Sequence, residues 1–222
     1  MDRSGSADGG ADASATALAR RSLFAAALGL ILLPLLIPGR TFLAMDRIDR
    51  LAALFHRRWA CPVLAQLHRT EGAKFISLVH ALGANAGAVR QTIDELIDLG
   101  WVRRNPGYGH PLRPEYLLTR RGERLAPACD RLDQALRTLE VRDVALRKWS
   151  MPTLYVIGEG PTRFTQVASA LPGATDRAVS LSLKDLGGAE LIERHLLDGP
   201  PPGSAYCVAA PGARLLPILN AI

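Results

Sequence analysis

Arg90 and Gln91 are neighbours on a segment whose apolar residues recur at the spacing of one helix face. That spacing predicts that both side chains point outward, opposite a buried side formed by Val89, Ile93, Leu96 and Ile97. In the major groove of DNA, arginine forms paired hydrogen bonds with guanine, and glutamine does so with adenine. Asp94 shares the outward side and opposes this chemistry, because a carboxylate is repelled by phosphates.

Basic side chains follow this helix on a predicted β-hairpin. They are Arg103, Arg104, His110 and Arg113. A cationic hairpin beside an exposed helix suits the phosphates and minor groove of a duplex, and such binding weakens as salt rises. The simpler alternative is a helix face and hairpin that only contact solvent.

The elements that position these residues are predicted from periodicity and turn residues. A first helix spans 45–57 and a second opens at Trp59. A short helix at 75–82, a turn, and a longer helix at 86–99 capped by Asn85 precede strands at 101–104 and 114–119. Short helix, tight turn, longer helix and hairpin are the order of a winged helix-turn-helix.

Many residue types recur at a spacing of 90 positions. The recurring pairs are Trp59/Trp149, Pro62/Pro152, Leu64/Leu154, Val89/Val179, Leu96/Leu186, Arg104/Arg194 and Tyr116/Tyr206. The spacing slips to 89 for Phe75/Phe164 and Leu82/Leu171. We therefore expect a mainly α fold with small β-hairpins (α+β), built as two tandem winged helix-turn-helix domains at 45–138 and 139–222. An apolar rhythm over 132–146 without Gly or Pro predicts that one nearly continuous helix joins them.

The second domain presents a weaker version of the same surface. Its helices are expected at 149–157, 162–171, 175–186 and 212–222. The third is capped by Thr175 and stops at Gly187-Gly188. The outward DNA-contact candidates are Arg177, Ser180 and Lys184 on the helix and Arg194 on the strand. Leu181 on that face suits either a thymine methyl group or a protein interface.

The charge is uneven along the chain. The 222 residues carry a net charge of +6, and residues 45–130 hold 13 Lys and Arg against 9 Asp and Glu. Residues 141–222 hold 8 against 7. We therefore expect the first domain to be the main DNA reader and the second to support it as the other member of a pseudo-dimer.

Residues 1–44 differ in composition from the rest. A Ser, Ala and Gly-rich start is followed by the apolar run 23–37, which is short for a membrane span. Three interpretations stay open: translated sequence upstream of a true start at Met45, a membrane anchor, or an apolar helix packed on the protein. We favour the first, together with a cytoplasmic location.

The sequence indicates no enzyme, metal site or cofactor. Cys61, Cys129 and Cys207 lack metal-ligand spacing, and the five His share no common spacing. For Cys61, a buried structural thiol is favoured over a redox sensor.

Motifs distributed over both domains resemble the HxlR type of winged helix-turn-helix transcription regulators, which are related to the MarR group. The matching residues are Lys148-Trp149, Arg163-Phe164, Leu171-Pro172-Gly173 and Leu183 to Leu186 in the second domain, and Pro111 to Thr119 and Gly122 to Pro127 in the first. Each domain also departs from the family pattern. In the second domain Gly203, Ala205 and Ala209 stand where the wing of the first has Arg113, Glu115 and Thr119, and in the first domain Leu82-Gly83-Ala84 replaces the Leu-Pro-Gly turn.

The resemblance implies a transcription regulator of double-stranded DNA. Because the family usually works as a homodimer, it also implies that the duplication fuses such a dimer into one chain. Further pairing of chains and a small-molecule effector of unspecified identity stay open. The alternative function is a protein-interaction module that has kept the winged fold and lost DNA binding.

Overall fold

The computed structural model describes residues 47–106, 114–197 and 203–222. The described chain begins with four helices and a two-stranded hairpin. Its first part, up to the helix that leaves the hairpin, consists of α1 (Arg47–Leu54), α2 (Ala60–Arg69), α3 (Phe75–Leu82), α4 (Ala86–Asp98), β1 (Val102–Arg104), β2 (Tyr116–Leu118) and α5 (Arg120–Thr138). We call this part the first half. The strands β1 and β2 form a two-stranded antiparallel sheet, extended by a bridge from Ala73 to Tyr116.

The remaining elements make up the second half. They are α6 (Arg142–Ala145), α7 (Ser150–Ile157), β3 (Thr162–Arg163), α8 (Phe164–Ala170), α9 (Asp176–Gly188), β4 (Ile192–Leu197), β5 (Gly203–Val208), α10 (Ala210–Ala213) and α11 (Leu216–Asn220). The strands form an antiparallel sheet in the order β3-β5-β4. The predicted class is confirmed at this level: the fold is a helix-rich winged helix with small β-sheets.

Strand pairing has the same register in both hairpins. In the first hairpin Val102 pairs with Leu118 and Arg104 with Tyr116. In the second hairpin the residues 90 positions later pair in the same way, Ile192 with Val208 and Arg194 with Tyr206. The bridge from Ala73 to Tyr116 has its counterpart in Thr162 opposite Tyr206, which reproduces the slip to 89. Because they pair with Tyr206 and Ala205 of β5, Thr162 and Arg163 form a short strand and not, as predicted, the start of a helix.

One continuous apolar core runs through both halves. In the first half α2 packs along α5, and both helices also contribute fully buried leucines to that core. Contacts of α1 with α7 and of α5 with α11 connect the halves. Arg47 adds polar contacts across this junction, since its guanidinium donates to the Tyr155 hydroxyl and to Asn220 Oδ1, each at 3.3 Å.

The predicted continuous helix between the halves is wrong. Helix α5 ends at Thr138, and Glu140 adopts a φ of 57°, in the left-handed region. The Val141 amide then donates to the Leu136 carbonyl at 3.1 Å, which closes the helix end in the manner of a Schellman motif. Only the four-residue α6 follows before α7. An apolar rhythm persists through such a turn, so it did not signal the break.

Three other boundaries differ from prediction. Helix α1 ends at Leu54 and does not reach Arg57. The Arg57 side chain binds Glu95. Helix α9 runs through Gly187 and Gly188 to its end. The last segment forms two short helices, and Pro217 lies in the first turn of α11, where a missing N–H is tolerated. The equivalent Pro127 lies inside the continuous α5, so the proline alone does not cause this break.

None of the helices in the described ranges has the length and hydrophobicity that a membrane span requires. The apolar run 23–37 and the start Met45 lie outside these residues.

Candidate nucleic-acid interface

Helix α4 is held so that its polar side is exposed. Gly83 takes a φ of 59° in the turn after α3, and the Asn85 side chain accepts a hydrogen bond from the Gly87 amide at 2.8 Å, as predicted for the cap. The buried side is anchored by Val89, Ile93 and Leu96, which are at most 1% exposed, whereas Ile97 is half-buried. The outward side carries Arg90, Gln91 and Asp94, all exposed.

Arg90 is ordered by an aromatic contact. Its guanidinium carbon lies 4.4 Å from the centroid of the Phe75 ring at the start of α3. The Phe75 backbone amide in turn donates to Glu115 Oε2 at 3.2 Å. Such a cation–π contact restrains the side chain while leaving the guanidinium positive, which suits a group that meets phosphates or a guanine edge.

Gln91 belongs to a small polar network that no sequence pattern predicted. Arg57 donates from Nη1 to the Gln91 amide oxygen at 3.5 Å, and its Nε binds Glu95 at 2.6 Å. His56 Nδ1 also lies 2.6 Å from Glu95. To contact an adenine through its amide oxygen, Gln91 would exchange the long bond from Arg57 for one to the base. The consecutive basic residues 56–58 were the available signal for this network.

On the first hairpin Arg104 lies over the Tyr116 ring, and Arg103 lies on the other side of the strand. The Arg104 guanidinium lies 5.8 Å from the centroid of the Tyr116 ring. Burial, and then Glu115, raise the pKa of the Tyr116 phenol, while the charges of Arg104 and Arg90 act against that rise. The charges of both cations thus act on one phenol. Arg103 is exposed on the other side of the strand, because side chains alternate along β1.

The remaining two candidates of the first hairpin, His110 and Arg113, lie outside the described residues. We call Arg90, Gln91 and Arg104 the first reading surface, and Arg103 lies on the reverse side of the hairpin.

Helix α9 presents the equivalent side of the second half. The Thr175 hydroxyl accepts from the Ala178 amide at 3.2 Å, as predicted for the cap. Arg177, Ser180 and Lys184 are exposed on this helix, and Leu181 between them is 54% exposed. Arg194 is exposed on β4 opposite Tyr206.

A concave groove of about 370 Å³ separates α9 from the second hairpin. Helix α9 contributes Ser180, Leu183, Lys184 and Gly187, and the strands contribute Ile192, Arg194 and Tyr206. We call this space the second groove. The structure therefore brings Ser180, Lys184 and Arg194 together around one space, and Arg177 does not line it.

No group of three or more His, Cys, Asp or Glu among the residues described is arranged to hold a metal ion. Cys61 and Cys129 are buried. A hydrogen bond to Cys129, and then burial, raise the pKa of the Cys61 thiol. A thiol with a raised pKa and no exposure is a poor nucleophile, which favours the structural role predicted for Cys61.

Comparison with known proteins gives a family match for the second half. Residues 144–222 match the model of the HxlR-like helix-turn-helix family. An uncharacterized HTH-type transcriptional regulator of Methanothermobacter thermautotrophicus is 31% identical over 75 residues, covering 34% of this chain and 57% of that protein. A second, from Synechocystis, is 32% identical over 82 residues, covering 37% and 61%. This chain therefore spans about three fifths of the length of these two relatives.

Other similarities extend this set. The HTH-type transcriptional regulator YvaP of Bacillus subtilis is 27% identical over 94 residues, covering 42% of this chain and 82% of that protein. The diamide-treated YodB structure from B. subtilis covers 35% of this chain and 77% of its own, at 23% identity and a TM-score of 0.33. A structure from Porphyromonas gingivalis W83 assigned to the MarR family covers 40% and 81%, at 22% identity and a TM-score of 0.35.

Proposed function

We propose that this chain is a transcription regulator of the HxlR-like helix-turn-helix type that binds double-stranded DNA. The observation that carries the proposal is the exposed pair Arg90 and Gln91 on α4, beside the cation Arg104 on the adjoining strand. The family match of the second half and the names of the relatives support it. A regulator of transcription must reach the chromosome, so the proposal includes a cytoplasmic location.

The first reading surface makes the main contacts in this proposal. Arg90 and Gln91 contact base edges, and Arg104, His110 and Arg113 contact phosphates or the minor groove. Arg103, on the reverse side of the hairpin, contacts a phosphate only if the hairpin enters the minor groove. In the second half Arg177, Ser180, Lys184 and Arg194 add weaker contacts, because fewer cations lie there. Asp94 limits the affinity through repulsion of phosphates.

The two halves act, in this proposal, as a pseudo-dimer made by tandem duplication. Supporting it are the equal strand registers, the Asn85 and Thr175 caps, and the winged element order found twice. One chain would then occupy a site that two single-unit chains occupy in a homodimer. Native mass spectrometry of the complex tests this: one chain per duplex is expected, and two chains per minimal duplex would refute the pseudo-dimer.

The DNA-binding proposal is tested by mobility shift on the region upstream of the chain's own gene, against an unrelated duplex of equal length and base composition. The wild-type chain should prefer the upstream duplex and lose affinity steeply as salt rises. Arg90→Ala with Gln91→Ala should abolish the preference, whereas Arg104→Ala should weaken both duplexes alike and reduce the salt slope by about one. Arg214→Ala, an exposed arginine outside the proposed surface, is the matched control. Absence of binding at low salt would refute the proposal.

Two exposed leucines favour the alternative of a protein-interaction module. Leu181 is 54% exposed on α9 and Leu196 is 77% exposed on β4. Large exposed apolar side chains are typical of protein contacts. Capture of a stoichiometric partner protein that is lost in Leu181→Ser with Leu196→Ser, together with no shift of either duplex, would select this function instead.

A further inference from the structure

The buried sides of α4 and α9 are nearly the same. Each buried residue of α4 has a counterpart of the same chemical class 90 positions later, and all of them are at most 5% exposed. The pairs are Val89/Val179, Thr92/Ser182, Ile93/Leu183 and Leu96/Leu186. Both helices have 13 residues and begin at equivalent positions. The two helices are therefore anchored in their halves in the same way.

The outward sides of α4 and α9 differ at every position. Between 86 and 94 five positions of α4 are exposed, and the same five positions are exposed in α9. The pairs are Ala86/Asp176, Gly87/Arg177, Arg90/Ser180, Gln91/Leu181 and Asp94/Lys184. The two helices share no residue type at any of these positions, and the last pair reverses the sign of the charge. The repeat has kept the support of the helix and changed the surface that it presents.

Each wing keeps one exposed arginine at the same place. Arg104 and Arg194 occupy equivalent positions of β1 and β4, whereas Glu193 stands in place of Arg103. Phosphates are alike at every base pair, so an arginine that contacts them selects no sequence. Both halves thus have an arginine for the DNA backbone, and they differ in the helix side chains that would contact bases.

The two outward sides suit different bases. Arg90 pairs with the O6 and N7 atoms of guanine and Gln91 pairs with adenine, so α4 favours purines on the strand that it contacts. Leu181, which is 54% exposed, has no hydrogen-bonding group in its side chain and suits the methyl group of thymine. Ser180 can hydrogen-bond to any base. Helix α9 therefore favours thymine where α4 favours a purine.

A homodimer of single units presents the same helix twice, and its DNA site is therefore an inverted repeat. We propose that this chain instead binds a duplex with two unlike half-sites, one rich in purines for α4 and one with thymine for α9. The half-sites lie about one helical turn, or a multiple of it, apart. The chain then binds in one orientation and distinguishes the two directions along the DNA. This inference rests on the proposed function and names the class of DNA site that it uses.

Selection by the full chain from a pool of random duplexes tests the inference. The enriched sequence should contain two unlike half-sites at a fixed spacing, without inverted-repeat symmetry. Mobility shifts then compare this duplex with two palindromes, each made by repeating one half-site in inverted orientation. The wild-type chain should bind the asymmetric duplex at least about tenfold more tightly than either palindrome, because each mismatched base pair weakens binding by about that factor.

A variant that makes α9 like α4 tests which residues select the second half-site. Ser180→Arg with Leu181→Gln and Lys184→Asp should shift the preference to the palindrome of the first half-site. Arg214→Ala, an exposed arginine outside both helices, is the control and should keep the preference for the asymmetric duplex. Circular dichroism and unfolding midpoints establish that each variant is folded.

The reciprocal variant makes α4 like α9. Arg90→Ser with Gln91→Leu and Asp94→Lys should shift the preference to the palindrome of the second half-site. Because the two variants change different helices, a folding defect in one leaves the other as a test.

The outcomes separate this inference from the proposed function. If no sequence is enriched and no duplex shifts at low salt, the DNA-binding function is refuted, and the inference with it. An enriched inverted repeat, or a single half-site beside any sequence, shows DNA binding and overturns the asymmetric site alone. Two unlike half-sites whose preference is unchanged in both folded variants also overturn it, because other residues would then select the sequence.

Discussion

Arg57 donates from Nε to Glu95 at 2.6 Å and so ties the turn before α2 to the end of α4. The second half has the same relationship between Arg147 and Asp185, again 38 residues apart in sequence. Each pair fixes the proposed DNA-contacting helix of its half against the turn that precedes the second helix. The repetition shows that the halves share the restraint of this helix as well as the order of their elements.

These two pairs should contribute little and similarly to stability, because all four side chains are partly exposed. Double-mutant cycles of Arg57→Ala with Glu95→Ala, and of Arg147→Ala with Asp185→Ala, should each give a coupling of about 0.5 kcal/mol in urea unfolding. The coupling should shrink at about 1 M salt, where exposed charges are screened. A coupling of either pair that is unaffected by salt would contradict this.

Asp133 should make a larger and pH-dependent contribution. It is 1% exposed and accepts from Arg69 and Arg142 at 3.0 Å and from Arg137 at 3.1 Å. Burial acts to raise the pKa of Asp133, but the bond from Arg69 and the charges of Arg142 and Arg137 outweigh it and hold that pKa below its usual value. At neutral pH, Asp133→Asn should lower the free energy of unfolding by about 3 kcal/mol, because three guanidinium groups lose their carboxylate.

The pH dependence follows from the depressed pKa in the folded state. The stabilisation is complete above the unfolded-state pKa of about 3.9 and is lost as pH falls through the lower folded-state pKa. Urea unfolding of wild type and Asp133→Asn should therefore converge as the solution is acidified. Asp130→Asn, which removes a more exposed partner of Arg69, is the control and should have a smaller effect. A difference between wild type and Asp133→Asn that stays constant at acid pH would refute this role.

The sequence predicts features that depend on neighbouring residues, and it does not predict features that depend on contacts between distant ones. Local signals were sufficient for α4, since the spacing of Val89, Ile93 and Leu96 predicted its buried side and Asn85 its start. The break at Glu140 was missed because it is stabilised by a backbone bond and by the bond from Arg142 to Asp133, neither of which leaves a local pattern.

The candidate sites show the same division. Exposure of Arg90 and Gln91 followed from periodicity, whereas the bond between Arg57 and Glu95 joins residues 38 apart in sequence. Gly187, which lines the second groove, was predicted as a helix stop and lies inside α9. A glycine in a helix and a glycine that ends one look alike in sequence, and only packing distinguishes them.

Two glycines at equivalent positions should be indispensable for docking the last helical segment of each half. A Cβ on Gly122 would lie 2.0 Å from the Trp101 carbonyl oxygen, and one on Gly212 would lie 2.2 Å from that of Leu191. Alanine at either position should lower the free energy of unfolding by about 3 kcal/mol, because backbone must move. Gly188→Ala, where a Cβ meets nothing within 4 Å, should instead add up to about 1 kcal/mol. Urea unfolding of the three variants checks this, and equal effects would contradict it.

Gly100 and Glu190 end the proposed DNA-contacting helices at equivalent positions, with φ angles of 69° and 55°. In each half the next amide reaches back five residues, from Trp101 to Leu96 and from Leu191 to Leu186. A left-handed φ costs a side-chain-bearing residue roughly 1 kcal/mol, so Glu190→Gly should raise the free energy of unfolding by up to that amount. Gly100→Ala should lower it similarly. Glu159→Gly is the control, because Glu159 is exposed and is not among the residues with positive φ. It should be neutral or destabilising, and stabilisation as large as that of Glu190→Gly would show that the gain does not come from the backbone angle.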